Sequence, residues 1–283
     1  MKNFFRDFLD SLGFRREAPL PKKAEQPPGA LPRREGAKAA KEPDKAPAGE
    51  APKGRARTLP KRPPDVPRRF ARYSEAERDT LERYLGDAFG PVTRTFYDIG
   101  GDSPRLDVAV AEPSPGRDFY TLATVGMGAN AMNVPRELRE HNHAFAELTV
   151  CLPPDWDLMH DTWPFYMLQE TARLPCTRDD LLGVGNAYHG PMLRGSGFSA
   201  LLVTPAASRP GVSTRLMLPG GKIVNFYLLL PLYEEEWREI VDNNSAFGFW
   251  ERYARRGGSV VVDPERERCT ADTDEEDDAE WNT

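Results

Sequence analysis

Cysteine is scarce: Cys151, Cys176 and Cys269 make an odd, widely spaced set in 283 residues, which excludes a small disulfide-framework protein. Long apolar runs are missing as well. No stretch approaches the ~18 uninterrupted residues of a membrane-spanning helix, and the start of the chain lacks the apolar segment and cleavage site of a secretory signal. Reduced thiols and a cytoplasmic location are the expectation. Glycine, at 23 residues, is far too rare for a collagen-like repeat. Aromatic residues desert one long interval. Phe70 is the only Phe, Trp or Tyr between residues 15 and 72, and the bulky aliphatics there are Leu20, Leu31, Leu59 and Val66. Such a segment cannot bury enough apolar surface to offset an ordering entropy of ~1–2 kcal/mol per residue.

Proline and positive charge fill that interval instead. Residues 15–72 hold 12 of the chain's 27 prolines, and 17 Lys/Arg against 7 Asp/Glu, a net of +10. The whole chain carries -6 and residues 1–14 are neutral, so residues 73–283 carry -16. A basic tether is joined to an acidic body. At the far end, Asp272, Asp274, Glu275, Glu276, Asp277, Asp278 and Glu280 form a like-charged run of the kind that repels itself and stays disordered.

Four parts follow: a short amphipathic helix over 1–14, a disordered basic Pro-rich linker over 15–72, one folded domain over 73–265, and a disordered acidic tail over 266–283. In the first, Phe4, Phe5, Phe8, Leu9 and Leu12 recur at helical spacing. A docking helix and a fraying chain end both fit that pattern. The linker's cations suit phosphates, yet no aromatic is interleaved to stack on a base and the body is acidic, so no nucleic acid is expected on the folded domain.

Within the domain, Ser74 and Glu77 have capping-box spacing for a helix running to Phe89 and stopped by Gly90-Pro91. Alternation over 105–111 predicts a half-buried strand that pairs with Phe119–Val125 through a Pro-Gly turn. Phe145–Leu152 is a third strand. Trp163–Leu174 is a helix with Pro164 in its first turn. Phe198–Thr204 and Ile223–Leu232 are further strands, the latter apolar enough to be central. Helices over Glu234–Asn243 and Ser245–Arg255 and a short strand at Val260–Val262 complete the chain. The expected fold class is α+β: a mixed β-sheet flanked by helices in a sandwich-like single domain.

No catalytic signature emerges. His141 and His143 bracket Asn142, and two histidines at that spacing can share a metal on a strand face, but no third ligand has a dependable position. Asp98 and Asp102 flank a glycine pair without the spacing of a calcium loop. Gly126-Met127-Gly128 follows a strand, yet the dinucleotide fingerprint is incomplete. Ser196, between two glycines, lacks the leading glycine of a nucleophile elbow. Glu112, Glu137, Glu147 and Glu170 are too scattered to be read as an acid–base pair. No metal and no cofactor are expected.

Four segments, in order, resemble the bacterial suppressor-of-fused domain: Tyr120–Pro135, reading YTLATVGMGANAMNVP; Ala146–Trp156, reading AELTVCLPPDW; Trp163–Pro175; and Leu228–Glu236. The likeness spans residues 90–265. One departure stands out, since bacterial members tend to carry Gly-His after a Leu-Gly pair, whereas this chain reads Leu182-Gly183-Val184-Gly185-Asn186. The resemblance implies a mixed α/β sandwich without catalytic activity. It also implies a binding role, since the animal domain grips a short extended peptide of a transcription factor and bacterial relatives look like immunity proteins that neutralise toxin domains. The functional expectation is therefore a non-catalytic protein that masks a basic partner, for which an acidic body suits steering. An adaptor sequestering its partner through a peptide-binding surface is the alternative, and a metal-dependent hydrolase using His141, His143 and Asp98 or Asp102 is a third reading. The loop Met127–Pro135 is the candidate contact region, with Met127, Asn130, Met132, Asn133, His141 and His143 as partner-binding residues. Two roles are open to the methionines: adapting to a partner surface, or filling the core beneath the loop.

Overall fold

A computed structural model describes residues 70–99, 104–135, 142–178 and 180–271. Readings that concern 1–69, including the amphipathic helix, or 272–283 lie outside those residues, as do His141 and Asp102.

Helix α1, Glu75–Phe89, begins as its sequence dictates. The Ser74 hydroxyl accepts from the Glu77 amide, and the Glu77 carboxylate accepts from the Ser74 amide at 2.9 Å. Then come β1, Val92–Phe96; β2, Asp107–Ala111; β3, Tyr120–Val125; and β4, Ala146–Leu152. Helix α2, Trp163–Thr177, follows, and after it β5, Ala187–His189; β6, Ala200–Pro205; β7, Arg215–Met217; and β8, Ile223–Leu232. Helices α3, Glu234–Asn243, and α4, Ala246–Arg255, come last. The eight strands form one mixed sheet in the order β1-β2-β3-β4-β8-β6-β5, with β7 continuing the β6 side along the first residues of β8. Only β4 and β8 run parallel. The expected α+β sheet flanked by helices is the fold observed.

Strand β8 is central, and its two faces sort into two cores. Val224 and Phe226 join Leu81, Tyr84, Leu85 and Phe89 of α1 on one side, whereas Tyr227 and Leu229 join Met167 and Leu168 of α2 on the other. This is the period-two alternation of a strand covered on both faces. Strand β2 departs from the half-buried expectation, because all five of its residues are buried. Val108 and Val110 face α2, while Ala109 and Ala111 face α1. Its alternation encodes large against small, and the alanines let α1 lie close to the sheet.

Strands β1, β5 and β7 are additions to the sequence-based reading. Each is five residues or shorter and lies at a sheet margin, where tertiary pairing rather than local pattern decides. The Val260–Val262 strand reduces to one bridge, Cys151 to Val261. The compact part also extends past 265. Arg266 and Cys269, placed in the acidic tail by composition, pack against α3, and Cys269 is buried.

Arg117 shows how the α1 face is closed. It is buried, pairs with no carboxylate among the described residues, and donates to the carbonyls of Phe89 and Ala207 and to the Thr121 hydroxyl, at 3.2, 2.6 and 2.8 Å. A cation at the last carbonyl of α1 suits the helix dipole. Its burial beside Cys151 accompanies a thiol pushed up to about 11, chiefly by desolvation, which makes that cysteine inert at neutral pH.

The aromatic contact between sheet and α1 gives a direct test. Phe226 lies 4.6 Å from the Tyr84 ring and 5.8 Å from the Phe89 ring, and it is fully buried. Phe226→Ala is expected to lower stability by about 3–5 kcal/mol, measured as the change in urea midpoint of the full chain.

Candidate functional site

The loop that carries most of the candidate contact residues is built on a buried carboxylate. Glu147 sits in β4, where every neighbour is buried. The β3–β4 ladder ends at Ala123 and Thr149, and side chains take over the pairing beyond that point. The Leu148 amide donates to the Thr124 hydroxyl at 2.8 Å, and that hydroxyl donates to Glu147 Oε2 at 2.5 Å. Glu147 Oε1 accepts three bonds: Gly126 N–H at 2.9 Å, Gly128 N–H at 3.0 Å and the Tyr73 hydroxyl at 2.7 Å. Four neutral donors thus converge on one carboxyl group.

Both glycines are required by close approach. Gly126 has φ +134, and a Cβ there would sit 2.2 Å from the Arg105 carbonyl. A Cβ on Gly128 would sit 2.3 Å from the Tyr73 hydroxyl. The Gly-Met-Gly sequence therefore turns its backbone amides towards a carboxylate instead of a phosphate. Tyr73 is fixed in turn by Lys222, whose Nζ lies 5.3 Å from the centres of the Tyr73 and Phe145 rings and 2.8 Å from Glu77. Burial pushes the Glu77 carboxyl up, but Lys222 and the Ser74 bonds outweigh it and hold the group below its usual range. Tyr73 is driven the other way, well above the ordinary phenol range by burial and by the Glu147 charge, so it stays protonated and donates.

The candidate residues fall into distinct roles around this cup. Met127 and Met132 are 3% and 4% exposed and belong to the α2-side core, so they fill space beneath the loop. Asn130 pairs with the main chain of Ala71 in both directions, at 2.8 and 3.1 Å, which fastens the residues leading into α1 to the loop. Asn133 is half-buried and Ala131 is exposed. His143 is half-buried with Nδ1 3.5 Å from the Tyr227 hydroxyl, and the backbone beside it is held by Asn225, which donates to the carbonyls of Asn142 and Phe145. Sequence reasoning missed Glu147, Tyr73, Thr124 and the two glycine amides as a unit. Its one available signal was a charged residue within an otherwise apolar strand.

Of the acidic residues considered for metal binding, Asp98 is otherwise engaged and Asp102 lies outside the described residues. Asp98 pairs with Arg173 at 2.8 Å and accepts from the Leu106 amide at 3.2 Å. Buried Asp107 takes Arg78 and Arg105 at 2.8 and 2.9 Å. Among the described residues there is no group of three or more His, Cys, Asp or Glu able to hold a metal. Nor, among them, is any helix long and apolar enough to cross a membrane.

The sequence profile of the family described as Suppressor of fused protein (SUFU) matches residues 102–267, more than half of the chain. The chain belongs to the suppressor-of-fused family. The Glu147 cup and the loop above it lie inside the matched region, while Tyr73 and α1 precede it. Among curated proteins none matches the chain. Solved structures similar to this suppressor-of-fused domain include a homologue from Neisseria gonorrhoeae FA 1090, 15% identical, covering 70% of this chain and 97% of that one, with a TM-score of 0.48. Another is Drosophila Suppressor of Fused, 16% identical over 73% of this chain and 54% of that one, TM-score 0.47. A third is the Sufu–Fu complex, 16% identical over 67% and 88%, TM-score 0.46.

The cup makes a pH-dependent prediction. Burial raises the Glu147 pKa despite the bonds from Thr124, Gly126, Tyr73 and Gly128. A carboxyl whose folded pKa is raised contributes stability that is fully present below the unfolded value of about 4.3 and is lost as pH rises through the folded one. Glu147→Gln keeps an acceptor for the three Oε1 donors and cannot ionise. Its stability relative to wild type should therefore improve from pH 4 to pH 8, by no more than roughly 1.4 kcal/mol per pH unit. Glu147→Ala strands all four donors and should cost about 3 kcal/mol or more at any pH in that range. Urea titrations of the three proteins across pH read both effects, and a pH-independent Gln offset would refute the first.

Proposed function

We propose that this suppressor-of-fused protein is a non-catalytic binding protein of the immunity type, which acts in the cytoplasm by masking a basic toxin domain. The observation that carries this reading is the distribution of charge. Residues 73–271 hold 19 Lys/Arg against 28 Asp/Glu, a net of -9, and residues 272–283 add seven further acids. Several of the domain's cations are paired with carboxylates, Arg78 and Arg105 with Asp107, Arg173 with Asp98 and Arg266 with Glu236. A basic partner is steered towards such a surface, whereas a nucleic-acid backbone is repelled.

The loop 126–135 supplies the second ingredient. Its hydrogen bonds to Glu147 and Ala71 and its buried methionines hold it in one shape, and a preorganised loop loses little entropy on docking. Ala131 and Asn133 are the residues it offers to a partner. Placed beside Ala71, the loop also suits the adaptor alternative, in which the N-terminal 69 residues share the partner with the domain.

Affinity capture by the full chain at low salt, followed by purification of the pair, tests the reading. The expected partner is a basic protein whose toxic activity falls at one equivalent of the suppressor-of-fused chain, with an association rate that drops steeply between about 50 and 200 mM salt. Asn133→Arg should weaken that complex about tenfold or more without changing thermal stability, the mark of a contact residue. Removing residues 2–69 should leave inhibition intact; loss of inhibition would favour the adaptor. Failure to recover any protein partner at low salt would sink both.

A further inference from the structure

Glu236, in the first turn of α3, is fully buried. It receives Arg266 in a two-pronged pair, Nη1 to Oε1 at 2.5 Å and Nη2 to Oε2 at 2.6 Å. The same guanidinium lies against the rings of Tyr233, Tyr253 and Phe198, with Cζ 4.7, 5.3 and 5.7 Å from their centres. Nη2 also donates to the Pro231 carbonyl at 3.1 Å. A planar carboxylate facing the fork, with aromatic faces around it, is a geometry that accepts arginine and disfavours lysine.

The walls and the occupant of this cage have different origins. Phe198, Pro231, Tyr233, Glu236 and Tyr253 come from the sheet end and from α3 and α4, whereas the guanidinium comes from a C-terminal strap over 263–271. Val262 N–H still bonds to the Cys151 carbonyl, but among the described residues the strap beyond it pairs with no strand. Side chains of the domain hold it instead. Glu236 accepts from the Cys269 amide at 2.8 Å, Glu239 from the Ala271 amide at 2.9 Å, and the Tyr233 hydroxyl donates to the Pro264 and Arg266 carbonyls. A peptide ligand is held in this manner: one anchoring side chain in a cage and a few main-chain bonds along the way.

Electrostatics make the anchor decisive. Helix α3 carries Glu234, Glu235, Glu236, Glu239 and Asp242, and the strap leads directly into seven more acids over 272–283. Arg266 and Arg268 are the strap's only cations, the latter 3.3 Å from Glu235. Without the guanidinium, strap and helix present like charges to each other.

We propose that this cage is an arginine-binding site, filled in cis by Arg266 and taken in trans by an arginine of a basic protein partner when the strap lifts. The trans half rests on the reading of a basic protein partner given above; the cis half does not. Because the strap is joined to the domain at Val262, its arginine competes at a local concentration of order mM. A free arginine therefore cannot displace it, whereas a partner that adds other contacts can.

The test uses the full chain with Arg266→Ala and, as probe, a synthetic peptide of residues 262–271. The peptide should bind this variant at least about tenfold more tightly than it binds wild type, whose cage is already filled. A peptide carrying Arg266→Lys should lose about tenfold or more in affinity for the variant, because an ammonium cannot make the forked pair. Equal binding of the two peptides to the folded variant overturns the proposal. Should the variant fail to fold, wild type decides: Cys269, on the strap itself, is 4% exposed while the strap is seated, and its alkylation in the full chain, resolved from the peptides by intact mass, should accelerate with saturating arginine peptide and not with the lysine peptide. No difference between the peptides there overturns the proposal equally. With a basic partner in hand, tighter binding to Arg266→Ala than to wild type supports the trans half. Equal binding overturns that half while leaving the protein-binding reading intact. Recovery of no partner, with both peptides behaving as expected, overturns that reading and leaves the cis site standing.

Discussion

The carboxylate of Glu147 is the constraint around which this end of the domain is arranged. A charged residue in the middle strands of a sheet costs several kcal/mol unless its oxygens are satisfied. Here the satisfaction comes from two stretches distant in sequence: Tyr73, just ahead of the Ser74 cap of α1, and residues 124–128, where Thr124 near the end of β3 is followed by the Gly126 and Gly128 amides of one turn. Each donor can reach the carboxylate only if its own element is in position. The entry to α1, the break in the β3–β4 ladder and the conformation of the Gly126–Gly128 turn are therefore coupled through one group. That coupling gives the loop above it, which opens with a single 3-10 turn over Met127–Ala129, a fixed shape without membership of any strand.

What the sequence revealed and what it concealed divide along the same line between local and remote. Helix α1 was legible because Ser74 and Glu77 sit three residues apart and cap the helix by themselves. Strand β8 was legible because an apolar run of ten residues has no stable place except a sheet covered on both faces. Strands β1, β5 and β7 were not, since each is short and gains its pairing from a neighbour elsewhere in the chain. The reading of β2 failed more instructively. Alternating Val and Ala resembles a strand with a wet face, but small residues also allow a helix to approach, and burial of Asp107 by two arginines removed the remaining polar cue.

The candidate loop was found through its resemblance and only half understood. Its glycines and methionines were conspicuous in the sequence, yet neither residue type announces which way it faces. The structure gives the methionines to the core and the glycine amides to Glu147. What remains exposed is a small surface with a stiff base. The sequence leaves two roles open to the methionines, adapting to a partner or filling the core beneath the loop, and their place in the core is decided by the elements on either side of the loop rather than by the loop itself.

Three buried carboxylates show how the domain distributes its electrostatic risk. Asp107 is matched by two arginines, Glu236 by one forked arginine and the backbone amides of Tyr233 and Cys269, and Glu147 by neutral donors alone. The first two draw on arginines, but Arg78 and Arg105 keep 42% and 36% of their side chains exposed while Arg266 keeps 11%, so these pairs leave the net surface charge close to the -9 that residues 73–271 carry by composition, 19 Lys/Arg against 28 Asp/Glu. The third carboxylate is satisfied by neutral donors, and burial raises its pKa. The acidity of the exterior therefore comes from composition, 28 Asp/Glu against 19 Lys/Arg over residues 73–271, and that net charge is the physical reason to look for partners among basic proteins.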